Sequence, residues 1–186
     1  MEILKPTQVF DGEELHKNWV VLVEGERITG VGLAEDLTIP NNATTIDLKG
    51  ATLMPGMIEG HSHILLHPYD ETGWNDQVLV ESISERVVRA TVHAKNTLMA
   101  GFTTIRDLGS EGAEYADVGV KRSIEKGIIP GPRMFVAGKA IVATGSYGPK
   151  GFAPHVKVPL GAEVADGHDN MIKVVRDQIG KGADVI

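Results

Sequence analysis

The sequence predicts an α/β protein. A small β-sheet piece over residues 1–55 is followed over residues 56–186 by the first four βα units of a TIM-type (β/α)8 barrel. Three observations lead there. Residues 1–55 hold short β-branched runs broken by Gly-containing turns. After Met57, strand-like runs alternate with amphipathic segments of helical period, which calls for parallel strands joined by crossover helices. No Gly-rich phosphate fingerprint follows the first of those strands, which favours a barrel over a doubly wound sheet.

The elements follow in order. Val20-Val21-Leu22-Val23, the turn Glu24-Gly25-Glu26 and Arg27-Ile28-Thr29-Gly30-Val31 read as a hairpin. Thr44–Leu48 and Ala51–Leu53, separated by Lys49-Gly50, suggest a strand, a turn and a strand. Such short strands cannot close a core alone. Met57–His63 is the first barrel strand, and residues 64–80 read as a loop. Ser82-x-x-Glu85 is a capping-box signature. Behind it Ile83, Val87, Ala94 and Leu98 form the apolar stripe, with Glu85, Arg86, Arg89 and Lys95 off it. Gly101 closes that helix. Phe102–Arg106 is the second strand. Ser110 is placed to cap a helix ending near Gly127, and Met134–Ala137 is the third strand. Residues 138–165 form a long Gly/Pro-rich loop. A third helix spans about 169–179, with Ile172, Val175 and Ile179 on one face, and Ala183–Ile186 opens a fourth strand.

Composition narrows the chemistry. The 186 residues are 42% hydrophobic, ordinary for a globular protein, and the net charge of −7 offers no basic surface for nucleic acid or anionic lipid. No cysteine is present, so His and carboxylates are the available strong metal ligands. The N-terminus lacks a signal-type apolar core and no run has membrane-spanning length. A cytoplasmic protein with a small-molecule substrate is expected, with homo-oligomerisation left open.

The chemistry concentrates at His61-Ser62-His63. Residues i and i+2 of a strand share a face, so the two imidazoles stand side by side, close enough for one cation. Barrel active sites lie at the C-terminal ends of the strands, where His61, His63 and Asp107 all fall. Asp107 either orients a metal ligand or caps the following turn. His67 and Tyr69, just past the metal strand, and Tyr147 and His155, in the long loop, are candidate substrate-binding residues or solvated loop residues. His93 and His168 read as structural or surface residues, and His16 as a loop residue. Half a barrel leaves two sheet edges unpaired, so a longer protein is expected, of which these residues are the N-terminal part.

Four segments resemble the amidohydrolase superfamily, in its imidazolonepropionase-like or Xaa-Pro dipeptidase-like branch. They are Val9-Phe10-Asp11-Gly12 with Val21–Ile28; Gly50–His63; Gly101–Asp107; and Gly182–Ile186. Many relatives carry Asp where this chain has Glu59, a position that is not a ligand. The resemblance implies a barrel flanked by a β-sandwich built from both chain ends. It also implies one or two divalent metals, usually zinc, with His61 and His63 as first-strand ligands. A lysine, carbamylated in binuclear members, is expected directly after Ile186, and the general-base Asp later still. The implied reaction is metal-assisted hydrolysis of an amide in a dipeptide, an N-acyl amino acid or a cyclic amide. A mononuclear deaminase of the same superfamily and a non-catalytic binding relative stay open.

Overall fold

In the computed structural model, which describes residues 1–186, the chain divides after Pro55 into two units, Met1–Pro55 and Gly56–Ile186. The first is one connected five-stranded sheet. Its strands are β1 (Glu2–Phe10), β2 (Leu15–Lys17), β3 (Trp19–Glu24), β4 (Arg27–Leu33) and β5 (Thr44–Leu53), with a short 3₁₀ turn at Ala34–Asp36. The order is β2-β1-β3-β4, antiparallel throughout, and β5 joins β1 in parallel. The expected hairpin is β3–β4, where Gly25 supplies the positive φ of 60° that a two-residue loop needs. Ile3, Val20 and Leu22 are buried, with Leu37, Ile39 and Ala43 packed against them. Residues 1–55 form this one sheet, and the expected sandwich is not formed within them.

Two sequence expectations for this unit change. The segment around Lys49-Gly50 is not a turn, and β5 runs unbroken for ten residues. Gly50, at φ 85°, absorbs the local irregularity, and its N–H is taken by Thr7 Oγ1 at 2.7 Å. β1 lacks a clean apolar run because it carries Lys5 and Pro6, and its register with β5 shifts between Pro6 and Gln8. His16 lies in β2 rather than a loop, bonded to Asp11 at 2.9 Å and stacked on Trp19.

The second unit holds three parallel strands in the order β6 (Met57–Ser62), β7 (Phe102–Asp107) and β8 (Arg133–Val136). Helix α2 (Ile83–Met99) connects the first pair and α3 (Ala116–Glu125) the second. This is the expected succession of strands and helices in a mixed α/β unit, although no barrel closes within these residues. On the helix-covered face Ile105, Met134 and Val136 are buried with Ala90, Ala94, Val118 and Val120. On the other face Ile58 and Phe135 are 72% and 45% exposed.

Ser82 caps α2 as expected, accepting the Glu85 N–H at 3.1 Å. The reciprocal half of the box is missing, because the Glu85 carboxylate binds Arg89 instead. The buried stripe is Arg86, Ala90 and Ala94, while Ile83 is exposed. Alanines let the helix approach β7, and Arg86 turns inward to meet three carbonyls. Gly101 ends α2 at φ 95°. Ser110 is not the cap of α3: its hydroxyl donates to Glu114 O at 2.6 Å, and the helix starts at Ala116 without a side-chain cap.

Four further readings change. The stretch 64–80 contains α1 (Trp74–Leu79), and the segment 138–165 contains a two-stranded parallel pair, β9 (Ile141–Val142) and β10 (Glu163–Val164). Helix α4 (His168–Lys181) buries Val174 and Gln178, while Ile179 is exposed, and Gly182 terminates it at φ 106°. Ala183–Ile186 is not a strand. Asp184 nonetheless attaches to the edge of β8: its N–H donates to Val136 O at 2.7 Å, and its carboxylate accepts the Val136 N–H at 2.9 Å and the Lys121 ammonium.

Candidate functional site

The C-terminal end of β6 presents both imidazoles to one place. His61 Nε2 and His63 Nε2 lie 3.3 Å apart, with the rings inclined at 66°. Two ligands about 2.05 Å from one zinc at the tetrahedral angle are about 3.3 Å apart, so the pair fits a shared cation. His63 Nδ1 lies 3.0 Å from Gly109 O. A carbonyl only accepts, so Nδ1 carries the proton and Nε2 keeps its lone pair for a metal. No cluster of three or more His, Asp or Glu able to hold a metal occurs in the chain. The pair by itself offers two imidazole nitrogens, not a closed site.

Asp107 sits behind them, fully buried. Its carboxylate accepts the Ile64 N–H at 2.8 Å and the Gly109 N–H at 3.3 Å. Those bonds fix the residue after His63 and the residue whose carbonyl orients His63. The Asp107 carboxylate thus caps the turn after β7 and braces the backbone on either side of the His63 contact. Burial pushes the Asp107 carboxyl up to about 7, and the charges of Asp117 and Glu111 add to it.

A cavity of about 610 Å³ opens beside the pair, walled by Tyr69, Trp74, Tyr147 and Lys150, with Glu111 between them. Glu111 is a non-glycine residue at φ 49°, and its side chain is buried. Its carboxylate accepts Trp74 Nε1–H at 2.9 Å and the Tyr147 hydroxyl, and comes within 3.7 Å of His63 Nδ1. Burial raises the Tyr147 phenol, and the Glu111 hydrogen bond raises it further. Burial, then the Glu111 charge, also raises Tyr69. The Trp74 and Tyr147 rings meet edge to face at 5.6 Å. A second cavity, of about 350 Å³, lies within the first unit and is lined almost entirely by apolar side chains.

The sequence profile of the amidohydrolase family matches residues 52–186. The chain belongs to that family. A crystal structure of a prolidase complexed with N-methylphosphonate-L-proline superposes with a TM-score of 0.80 at 30% identity, over 98% of this chain and 44% of that one. A Xaa-Pro dipeptidase structure with bound methionine superposes at 0.81 and 24% identity, over 98% and 45%. Ochratoxinase of Aspergillus niger is 28% identical over 197 residues, covering 95% of this chain and 38% of that protein. The chain spans less than half the length of each of these relatives. No helix of this amidohydrolase chain is long and apolar enough to cross a membrane.

Within this amidohydrolase frame the four candidate substrate residues separate. Tyr69 and Tyr147 line the cavity beside the His pair. His67 does not. Its two ring nitrogens face Glu71 at 3.2 Å and Glu81 at 2.8 Å, and Glu81 also holds Arg89. His155 is exposed and lies off the cavity wall. His93 is a brace, its Nδ1 lying 3.1 Å from Ile64 O. Sequence reading passed over Trp74, Glu111, Lys150 and Arg86. Glu111 had one usable signal, its place in the loop at the C-terminal end of β7. Arg86 had none, since a charged residue four before Ala90 reads as a solvated position.

Proposed function

We propose that the intact protein is a metal-dependent hydrolase that cleaves an amide bond in a dipeptide, an N-acyl amino acid or a cyclic amide. The observation that carries this is the 3.3 Å separation of His61 Nε2 and His63 Nε2, with Nδ1 of His63 held as a donor by Gly109 O. The organisation behind it is a β piece over residues 1–55, part of a composite sandwich, and barrel units over residues 56–186.

His61 and His63 hold the metal, zinc on this reading and two ions in the binuclear form. A bound ion supplies an acidified water and polarises the scissile carbonyl. Asp107 orients His63 through the Gly109 turn and keeps the Ile64 backbone in place. Tyr147 and Tyr69 contact the substrate, and Glu111 holds the Tyr147 hydroxyl and the Trp74 indole in position. His67, with both ring nitrogens facing carboxylates, and His155, exposed off the cavity wall, have no substrate role on this reading. The bridging carbamylated lysine and the general-base Asp are assigned beyond Ile186.

The test is metal analysis of the intact protein together with turnover on a dipeptide and N-acyl amino acid panel. Two zinc ions per chain, and amide hydrolysis abolished by a chelator, are expected. One ion with ammonia release from an amino-heterocycle would replace this reading by the deaminase. No metal and no turnover would replace it by a binding protein.

A further inference from the structure

On the hydrolase reading, the cavity must select some part of an amide substrate. Most donors around it are already committed within the protein. Tyr147 Oη and Trp74 Nε1 donate to Glu111. Ser146 Oγ donates to Ala143 O at 2.7 Å, and His63 Nδ1 to Gly109 O. Asn75 uses both ends of its amide on one backbone: Nδ2 donates to Lys150 O at 2.8 Å, and Oδ1 accepts the Lys150 N–H at 3.4 Å. That clamp spans 75 positions of sequence and roots Lys150 at the cavity wall.

Lys150 is the one Lys or Arg on that wall. Lys121, Lys139 and Lys181 each meet a carboxylate within 2.7 Å, but the Lys150 ammonium enters no ion pair. An anion entering the cavity loses water and needs a donor in return. The exposed Tyr69 hydroxyl, the outer nitrogen of His61 and one N–H of Asn75 are also open, but among the wall's donors only Lys150 carries a fixed positive charge.

We propose that Lys150 is the specificity-determining residue that binds the free carboxylate of a dipeptide or N-acyl amino acid substrate, with Asn75 as its positioning residue. The rings of Tyr69, Trp74 and Tyr147 flank the body of the same molecule. The clamp holds the lysine by its backbone and leaves the four-carbon stem to swing, so side chains of different size are accommodated while the charge requirement stays. A charge-assisted hydrogen bond to a carboxylate corresponds to about 10- to 100-fold in affinity, which a neutral carboxamide forfeits.

The experiment uses the zinc-loaded intact protein and matched pairs: each dipeptide of the panel and the same dipeptide as its C-terminal carboxamide. Kinetics and titration calorimetry are run side by side on wild type, Lys150→Met, Lys150→Arg and Asn75→Ala. The wild type is expected to prefer the free acid at least tenfold. Lys150→Met raises KM for the acid toward that of the carboxamide with kcat nearly unchanged. Lys150→Arg restores most of the preference, and Asn75→Ala falls between. Equal handling of acid and carboxamide by the wild type overturns the inference, as does a Lys150→Met defect equal on both. Absence of all turnover removes the hydrolase reading, and calorimetry then decides alone: acid-selective binding lost in Lys150→Met upholds the role of Lys150, and any other binding pattern overturns it.

Discussion

Replacing Arg86 by methionine tests how the candidate site is held. Arg86 is 1% exposed and has no acidic partner. Its Nε donates to Leu65 O at 3.1 Å, and its Nη2 donates to Ser110 O at 3.1 Å and Glu111 O at 2.9 Å. Ser110 O also accepts the Ala113 N–H, so the methionine variant strands chiefly two buried carbonyls, those of Leu65 and Glu111. Each costs about 1–3 kcal/mol. The variant also escapes the desolvation of a buried guanidinium, which offsets part of this. A net loss of about 2–4 kcal/mol follows, or roughly 5–15 °C in Tm for a domain of this size. The three carbonyls belong to the loops after β6 and β7, so zinc affinity should fall with stability. Lysine at position 86 keeps the charge but lacks the fork, and should recover less than half of the loss. Urea and thermal melts of the intact protein, with zinc titration, read both effects. A methionine variant within about 0.5 kcal/mol of wild type, with unchanged zinc affinity, would refute the reasoning.

His61→Ala and His63→Ala should each remove most bound metal and nearly all activity while the far-ultraviolet spectrum is retained; a double variant with full metal content ends the ligand assignment. Gly56→Ala places a Cβ 2.0 Å from Thr103 Oγ1 and 2.6 Å from Thr103 Cβ, which the strand backbone cannot yield, and should cost about 1–3 kcal/mol or more. Gly30→Ala, which meets leucine side-chain carbons no closer than 3.3 Å, is the control, and equal melts for the two would contradict the clash. Asp11 is held near 2 by the backbone N–H groups of Glu14 and Glu13, then by His16. Its folded value lies below the unfolded value of about 3.9, so its contribution is present above that value and lost as pH falls through about 2. Carboxyl NMR titration checks this, and a midpoint near 4 would count against the turn.

What the sequence made legible was local. The His-x-His spacing predicts two rings on one face because strand periodicity alone decides it, and Ser82 is readable because a cap needs only its own first turn. β1 escaped notice because Lys5 and Pro6 interrupt its pattern, while the partners that justify it, β3 and β5, lie tens of residues away. α1 follows Gly73, which offers no side-chain cap, so it left no start signal. Arg86 and Glu111 are charged residues buried by groups from other loops, and nothing beside them in the chain announces that. The cavity wall was half readable: Tyr69 and Tyr147 from their loops, Trp74 and Lys150 only once the long segment folds back over α1.

Asp184 has a consequence for the order in which the second unit assembles. It grips both backbone groups of Val136, one through its own N–H and the other through its carboxylate, and Lys121 holds that carboxylate from α3. The grip on Val136 needs β8 in place, its Lys121 part needs α3 docked as well, and it closes a separation of 48 residues. Such a late, long-range closure adds to the barrier after the local helices have formed. It also acts as a checkpoint on registry. A slip by one residue would trade Asp184 for Ala183 or Val185, neither of which has a carboxylate to offer. Chains that have not yet assembled β8 correctly therefore have nothing to hold the next segment against the sheet.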